Sequence, residues 1–392
     1  MNKAFVHRLA GRCAAGGALV AALVCTFPVA AQGSAPTGPA DATEALQATV
    51  DRVVGRHAQD EAIPGLVVGI SWRGQRSFFG YSGTGQPAYG ADTIVEIGSI
   101  TKVFTTALFA EAVLEGRVQR DATLRSLMPD AALGPCTGQI TLLQLADFSS
   151  GMPTLPGDVP RGLDRRGIDS YTADDFLRWV SRWQPDDGNA CGSPAPYRYS
   201  NASVGLLGVL LAGRLGQPWS TLVQQRITGP LGMRSTAIEP PPGQSGRVAA
   251  GYGKQGQPVV PWPVFAWYAA GALRSTAADM LAFGEAALGH ATVNGNAVPP
   301  VLLRALQDAM RPIYQPEGQV FEQGMAWMEN VGDADGGQRP VFLKAGGTDG
   351  FNSVIVVNPA KDLAIFIAAS RPKSNIPKLG VELSRQLRGA AR

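Results

Sequence analysis

The chain has 392 residues, 45% of them hydrophobic and 17% charged, which excludes a disordered or fibrous protein and allows a large buried core. Its formal charge of +3 resides in the first 31 residues, where Lys3, Arg8 and Arg12 meet no acidic residue. The rest is neutral, so nucleic acid is not an expected partner.

Residues 1–31 read as a signal peptide, with a basic start, the apolar stretch Ala14 to Val24, and small residues Val29-Ala30-Ala31 before a cut ahead of Gln32. This predicts a periplasmic protein with no stable membrane anchor once the signal is removed. Lipidation at Cys25 is not expected, because Ala22-Leu23-Val24 lacks the small residue that should precede it. Residues 32–43 read as a flexible start and 44–392 as one domain. Two cysteines remain after cleavage, Cys136 and Cys191, and in an exported protein they are a candidate disulfide. Only His57 and His290 remain as histidines, so no metal or other cofactor is expected. The protein is expected to be a monomer.

Glu44 to Ala62 has helical spacing and ends at Ile63-Pro64-Gly65. Leu66 to Trp72 and Ser77 to Tyr81, separated by Arg73-Gly74-Gln75, predict a β-hairpin. Ile100, Val103, Phe104, Ala107 and Leu108 lie on one face of a helix that Gly116 should stop. A mainly helical stretch follows: Thr141 to Asp147, Ala173 to Trp183, Ser203 to Leu215, Trp219 to Ile227 and Ala277 to Leu288, the last opening on a Thr276/Asp279 capping box. Pro340 to Leu343, Ser353 to Asn358 and Leu363 to Ala369 predict strands, and Pro377 to Arg388 a final helix. The fold class is therefore α/β of the α+β type: a mainly antiparallel sheet from both chain ends (44–125 and 300–392), flanked by helices, with an inserted helical subdomain (126–299).

Ser99 and Lys102 lie three apart at the start of the apolar helix, where neighbouring side chains can share a proton. A second serine-x-x-lysine, Ser370 to Lys373, contains Pro372 and gathers no other chemistry. Tyr199-Ser200-Asn201 precedes another helix, and Lys344-Ala345-Gly346-Gly347-Thr348 joins a lysine to a glycine-rich run at a strand. A Ser-His-Asp hydrolase is disfavoured by the lack of Gly-x-Ser-x-Gly and the ordinary surroundings of both histidines. Gly251-Tyr252-Gly253-Lys254-Gln255-Gly256 matches a dinucleotide fingerprint formally but opens no helix. Trp262, Phe265 and Trp267 read as core, with Tyr268 a candidate pocket wall.

The three motifs, in this order, resemble those of the serine β-lactamase and penicillin-binding protein superfamily. The likeness is greatest to class C β-lactamases and related D-alanyl-D-alanine carboxypeptidases, and it extends to Ile140 to Leu145, Ser150-Gly151-Met152-Pro153, Pro230-Leu231-Gly232-Met233 and Leu273 to Thr276. The resemblance implies a β-lactamase/transpeptidase-like fold and a small-molecule substrate, a β-lactam or a peptidoglycan peptide. It implies Ser99 as the nucleophile that becomes acylated, with Lys102, Tyr199 and Lys344 as its catalytic partners. Asn201, Gly346, Gly347 and Thr348 would bind substrate, and the N–H groups of Ser99 and Gly347 would form an oxyanion hole. An ordinary lysine is only about 0.04% neutral at pH 7, a cost of about 4.6 kcal/mol for a base. The two lysines are therefore expected to perturb each other and to favour a Tyr199 phenolate. The chain departs from the family at Val95, Ile97 and Thr101, and at Ala345, where the third motif normally carries a threonine whose hydroxyl helps to hold a substrate carboxylate. A carboxypeptidase or esterase with the same machinery, and a sensor that is acylated without turnover, remain open alternatives.

Overall fold

The structure, a computed structural model, describes residues 39–159, 171–185, 191–330 and 340–387; the expected signal peptide lies outside the described residues. Seven strands form one antiparallel sheet drawn from both ends of the chain. They are β1 (Leu66–Trp72), β2 (Gln75–Tyr81), β3 (Phe321–Gln323), β4 (Met328–Asn330), β5 (Phe342–Gly347), β6 (Asn352–Asn358) and β7 (Leu363–Ala369). Their spatial order is β2-β1-β7-β6-β5-β4-β3. The hairpin β1–β2 is thus extended by the last strand, with Leu66 opposite Ala369 and Trp72 opposite Leu363.

Strand alternation builds two cores. Leu66, Val68, Ile70, Val354, Val356, Ile365 and Ile367 face one side. There they meet Val50 and Val54 near the end of α1 (Pro39–Val50) together with the last helix of the chain. Val67, Ile355, Val357 and Phe366 face the other side, where the remaining helices pack. Helices therefore cover both faces, and β7 reads as a continuous apolar run rather than an alternating one.

The first helix is longer than α1 alone, continuing through a π turn (Asp51–Gly55) and a further helical turn (Arg56–Asp60). The helix after Ser99 is α2 (Thr101–Leu114), which buries 12 of its 14 residues. It is apolar nearly all round and runs through the core, rather than presenting the single face expected from its spacing. Two of its threonines bond to backbone carbonyls brought from distant segments: Thr105 Oγ1 donates to Ala269 O at 2.6 Å and Thr106 Oγ1 to Met325 O at 2.9 Å. Around it lie α3 (Leu142–Ala146), α4 (Ala173–Arg182), α5 (Asn201–Leu215), α6 (Trp219–Val223), α7 (Ala277–Leu288), α8 (Pro300–Met310) and, beyond the sheet, α9 (Ile376–Gln386).

Two assignments within the expected subdomains change. α7, expected in the helical insert, packs on β1, β6 and β7. Gly69 makes this approach possible, because a Cβ there would stand 3.3 Å from Leu281. α8, not foreseen as a helix, packs on α2 rather than belonging to the sheet layer. The expected capping box at Thr276 is half formed. Thr276 accepts from Asp279 N, whereas the Asp279 carboxylate turns outward to Ser235 N and Thr236 Oγ1, each at 2.8 Å.

Candidate active site

Ser99 is delivered by a two-residue strand, Val95–Glu96, paired with Arg274–Ser275. It lies in a 3₁₀ turn, Gly98–Ile100, that leads straight into α2. Gly98 has φ +50°, and a Cβ on it would stand 2.6 Å from Gly347 O. A Cβ on Gly346 would stand 2.0 Å from Ile97 O. The turn bearing Ser99 and the end of β5 thus touch backbone to backbone, a contact that side chains would prevent.

The register of β5 decides what this contact exposes. Thr348 N donates to Phe351 O at 2.9 Å, so alternation turns the N–H groups of Ala345 and Gly347 away from β6. β4 pairs with β5 at Phe342 and Leu343, with Asn330 N donating to Val341 O at 2.9 Å, and among the described residues it pairs with nothing beyond Leu343. The Gly347 N–H therefore lies on an edge that β4 leaves open, beside the Ser99 turn.

Tyr199 arrives on a segment strapped to residues 148–154. Ala195 N donates to Ser149 O at 2.7 Å, Arg198 N to Phe148 O at 3.0 Å and Asn201 N to Thr154 O at 2.9 Å. Ser200 caps α5 by accepting from Ser203 N at 2.9 Å, which leaves Tyr199 just outside the helix and Asn201 at its first position.

These elements bring the four expected catalytic side chains together. Tyr199 donates its hydroxyl proton to Ser99 Oγ at 2.7 Å, and Lys102 Nζ lies 3.1 Å from the same oxygen. Lys102 Nζ also reaches Asn201 Oδ1 and Ala270 O, both at 2.6 Å. Lys344 Nζ lies 5.1 Å from the Tyr199 ring centroid and 3.1 Å from Ala345 O.

Burial governs the protonation of this group. Lys102 is fully buried, and desolvation, with the Lys344 charge as a second cause, holds its amine well below the usual lysine range. Desolvation likewise lowers Lys344 to about 8. The Tyr199 phenol moves the other way: burial pushes it up, outweighing the bond to Ser99 that lowers it. Burial thus works against the phenolate expected from two nearby lysines. The Lys102 amine lies among three oxygens, Asn201 Oδ1, Ala270 O and Ser99 Oγ, so that once neutral it is within reach of the Ser99 proton.

Gly346 and Thr348 are engaged within the protein rather than with the open edge. Gly346 O accepts from Asn352 Nδ2 at 2.9 Å, and Thr348 Oγ1 accepts from Gly350 N and Phe351 N, closing the turn between β5 and β6. The Tyr268 ring packs on Trp219, centroids 5.8 Å apart. Its turn, Tyr268–Ala270, serves the site through the Ala270 carbonyl, which no side-chain motif could announce.

The second serine-x-x-lysine is structural: Ser370 Oγ accepts from Gly65 N at 2.9 Å and donates to Gly65 O at 3.0 Å. His57 Nε2 contacts Ser374 O and His290 Nε2 contacts Asp362, away from the Ser99 group. Gly251–Tyr252 pairs with Pro258–Val259 as a hairpin, not as a dinucleotide loop. Cys136 and Cys191 form a disulfide with Cα atoms 4.5 Å apart. Among the described residues no cluster of His, Cys, Asp and Glu could hold a metal ion, and no helix is long and apolar enough to cross a membrane.

A family model described as Beta-lactamase matches residues 50–382, and the chain belongs to the β-lactamase family. A β-lactamase of Lysobacter lactamgenus is 27% identical over 379 residues, spanning 88% of this chain and 92% of its own. The crystal structure of a class C β-lactamase from Rhodobacter sphaeroides is similar at a TM-score of 0.71 and 27% identity, covering 86% of this chain and 97% of its own. A β-lactamase/D-alanine carboxypeptidase from Pseudomonas syringae gives a TM-score of 0.74 at 25% identity, covering 88% of this chain and 100% of its own.

Proposed function

We propose that the protein is an exported class C-like serine hydrolase that opens β-lactam rings through an acyl-enzyme on Ser99. The observation that carries this reading is the convergence of Tyr199 and Lys102 on one serine oxygen. Lys102 takes the Ser99 proton as Oγ attacks the lactam carbonyl. The N–H groups of Ser99 and Gly347 receive the oxyanion, where losing one donor typically costs about 2.7–4 kcal/mol. As the C–N bond breaks, Tyr199 gives its proton to the leaving nitrogen. The transient phenolate, flanked by two ammonium groups, then takes a proton from water, whose hydroxide attacks the ester. Lys102 returns its proton to Ser99 Oγ as the acyl group departs. Asn201 holds Lys102 through its carbonyl and donates from its amide nitrogen to the acyl side of the substrate, while Lys344 attracts the substrate carboxylate.

Export is supported by the leader sequence and by the disulfide, which persists in an oxidising compartment. A D-alanyl-D-alanine carboxypeptidase is favoured as the second reading by Ala345 and by the likeness to the Pseudomonas syringae protein. Pre-steady-state kinetics with a chromogenic cephalosporin separate the two. Steady turnover that Ser99→Ala abolishes supports the β-lactamase. A failure to react, with D-alanine released from a D-alanyl-D-alanine peptide, would overturn it in favour of the second.

A further inference from the structure

Phe148 occupies the residue position after the C-cap of α3, where the chain turns left-handed with φ +66°. Glycine or asparagine normally fills this position, because a side chain there crowds the backbone. A bulky residue that keeps such a conformation is held there by its surroundings, and outliers of this kind gather at functional sites. The surroundings are on either side of it. The Asp147 carboxylate accepts from Ser149 N at 3.0 Å and from Ser149 Oγ at 2.6 Å, clasping the turn across Phe148. Tyr314 OH donates to Asp147 O at 2.9 Å, and Phe148 O accepts from Arg198 N, in the residue before Tyr199.

The turn aims the Phe148 ring at Tyr199, with centroids 4.9 Å apart and planes tilted by 41°. Tyr197 closes the far side of Phe148 edge-on at 5.9 Å. The Tyr199 ring is thus boxed by Phe148, by Lys102 Nζ at 4.9 Å and by Lys344 Nζ at 5.1 Å. Two of these groups are the lysines that the reaction uses. Phe148, only 1% exposed, supplies none.

We propose that Phe148 is a positioning residue, held left-handed by the Asp147 clasp so that its ring fixes the Tyr199 rotamer and keeps water from the two lysines. The inference rests on the reading of Tyr199 and Lys102 as partners of Ser99, but not on the β-lactam as substrate. The groups facing Tyr199 are Lys102 from α2, Lys344 from β5, and Tyr197 and Ser99, so the state of Lys102 reports whether the box is dry.

The test is the rate at which a fluorophosphonate labels Ser99, followed against pH, beside thermal melting. Phe148→Leu keeps an apolar filling but removes the flat ring; Asp147→Ala opens the clasp; Asp147→Asn keeps an acceptor for Ser149. Phe148→Leu and Asp147→Ala should slow labelling at least tenfold and move its acid limb upward by half a pH unit or more, as water returns to Lys102. Asp147→Asn should stay within threefold of the wild type. If Phe148→Leu does not fold, the Asp147 pair decides. Wild-type rate and limb in Phe148→Leu or Asp147→Ala, with Tyr199→Phe slowed, would overturn the role of Phe148 alone. An unlabelled wild type, or a Tyr199→Phe variant as fast as the wild type, would overturn the site reading as well.

Discussion

Lys102 and Lys344 approach the same tyrosine ring, their Nζ atoms 4.9 and 5.1 Å from its centroid, and the charge of Lys344 disfavours the charged form of Lys102. The charge of Lys344 is the second cause, after burial, of the depressed Lys102 pKa. Replacing Lys344 by Met should therefore raise the Lys102 pKa and shift the acid limb of kcat/KM to higher pH. A limb that stays in place would show that Lys344 does not act on Lys102.

The same substitution has a stability consequence. Lys344 is protonated in the folded and unfolded chains at pH 7, because its folded pKa is about 8 and the unfolded one is near 10.5. Its depressed folded pKa means that the unfolded chain binds more protons between these values, so stability rises with pH across that window and the penalty is full below it. The penalty is roughly 3 kcal/mol. Lys344→Met should be at least as stable as the wild type at pH 7 in urea titrations while losing activity, and its stability advantage should shrink towards pH 10.

Gly346→Ala places a Cβ 2.0 Å from Ile97 O, a backbone atom that cannot swing aside. The end of β5 must then move from the Ser99 turn, at a cost on the order of 1–3 kcal/mol. The expected result is a lower melting temperature and a kcat reduced by more than tenfold, because Gly347 N–H withdraws from Ser99. A destabilised variant with unchanged kcat would remove Gly347 from the oxyanion hole.

Ala345 pairs with Val354 on the face of the sheet that α9 covers, opposite to the face of Lys344. Ala345→Thr would restore the hydroxyl that the third motif normally carries, on the open end of β5 rather than among the side chains around Lys344. If that hydroxyl limits recognition of a carboxylate, the variant should lower KM for a cephalosporin severalfold at constant melting temperature. Identical kinetics would mean that this chain holds the carboxylate by other groups.

The disulfide spans 55 residues of sequence and fastens the segment that leads to Tyr199. A loop of this length corresponds to about 4 kcal/mol in the chain-entropy view. Cys191→Ser should lower the melting temperature substantially yet preserve most of kcat, because Tyr199 keeps its own straps at Arg198 and Asn201. Loss of kcat at temperatures where the variant is folded would make the disulfide part of the site's geometry.

Periodicity was sufficient for the hairpin β1–β2, for β7 and for α7, and motif order for singling out Ser99, Lys102, Tyr199 and Lys344, which the fold brings together, because each is a local pattern of side chains. α8 and the short strands β3 and β4 were missed, since a short amphipathic segment behind two prolines and three-residue strands carry little periodic signal. Ser99 was separable from the decoy at Ser370 by company alone; the structure adds that Ser370 is locked onto Gly65.

What the sequence determined by itself is which residues can do the chemistry. What only the tertiary structure decided is their protonation and their aim. Burial works against a Tyr199 phenolate, and a backbone carbonyl at Ala270 joins Asn201 Oδ1 and Ser99 Oγ around the Lys102 amine. A ring at Phe148, in a conformation that belongs to glycine, lies against the tyrosine that touches Ser99. Desolvation and backbone approach depend on what the fold brings from elsewhere in the chain, and no local pattern encodes either.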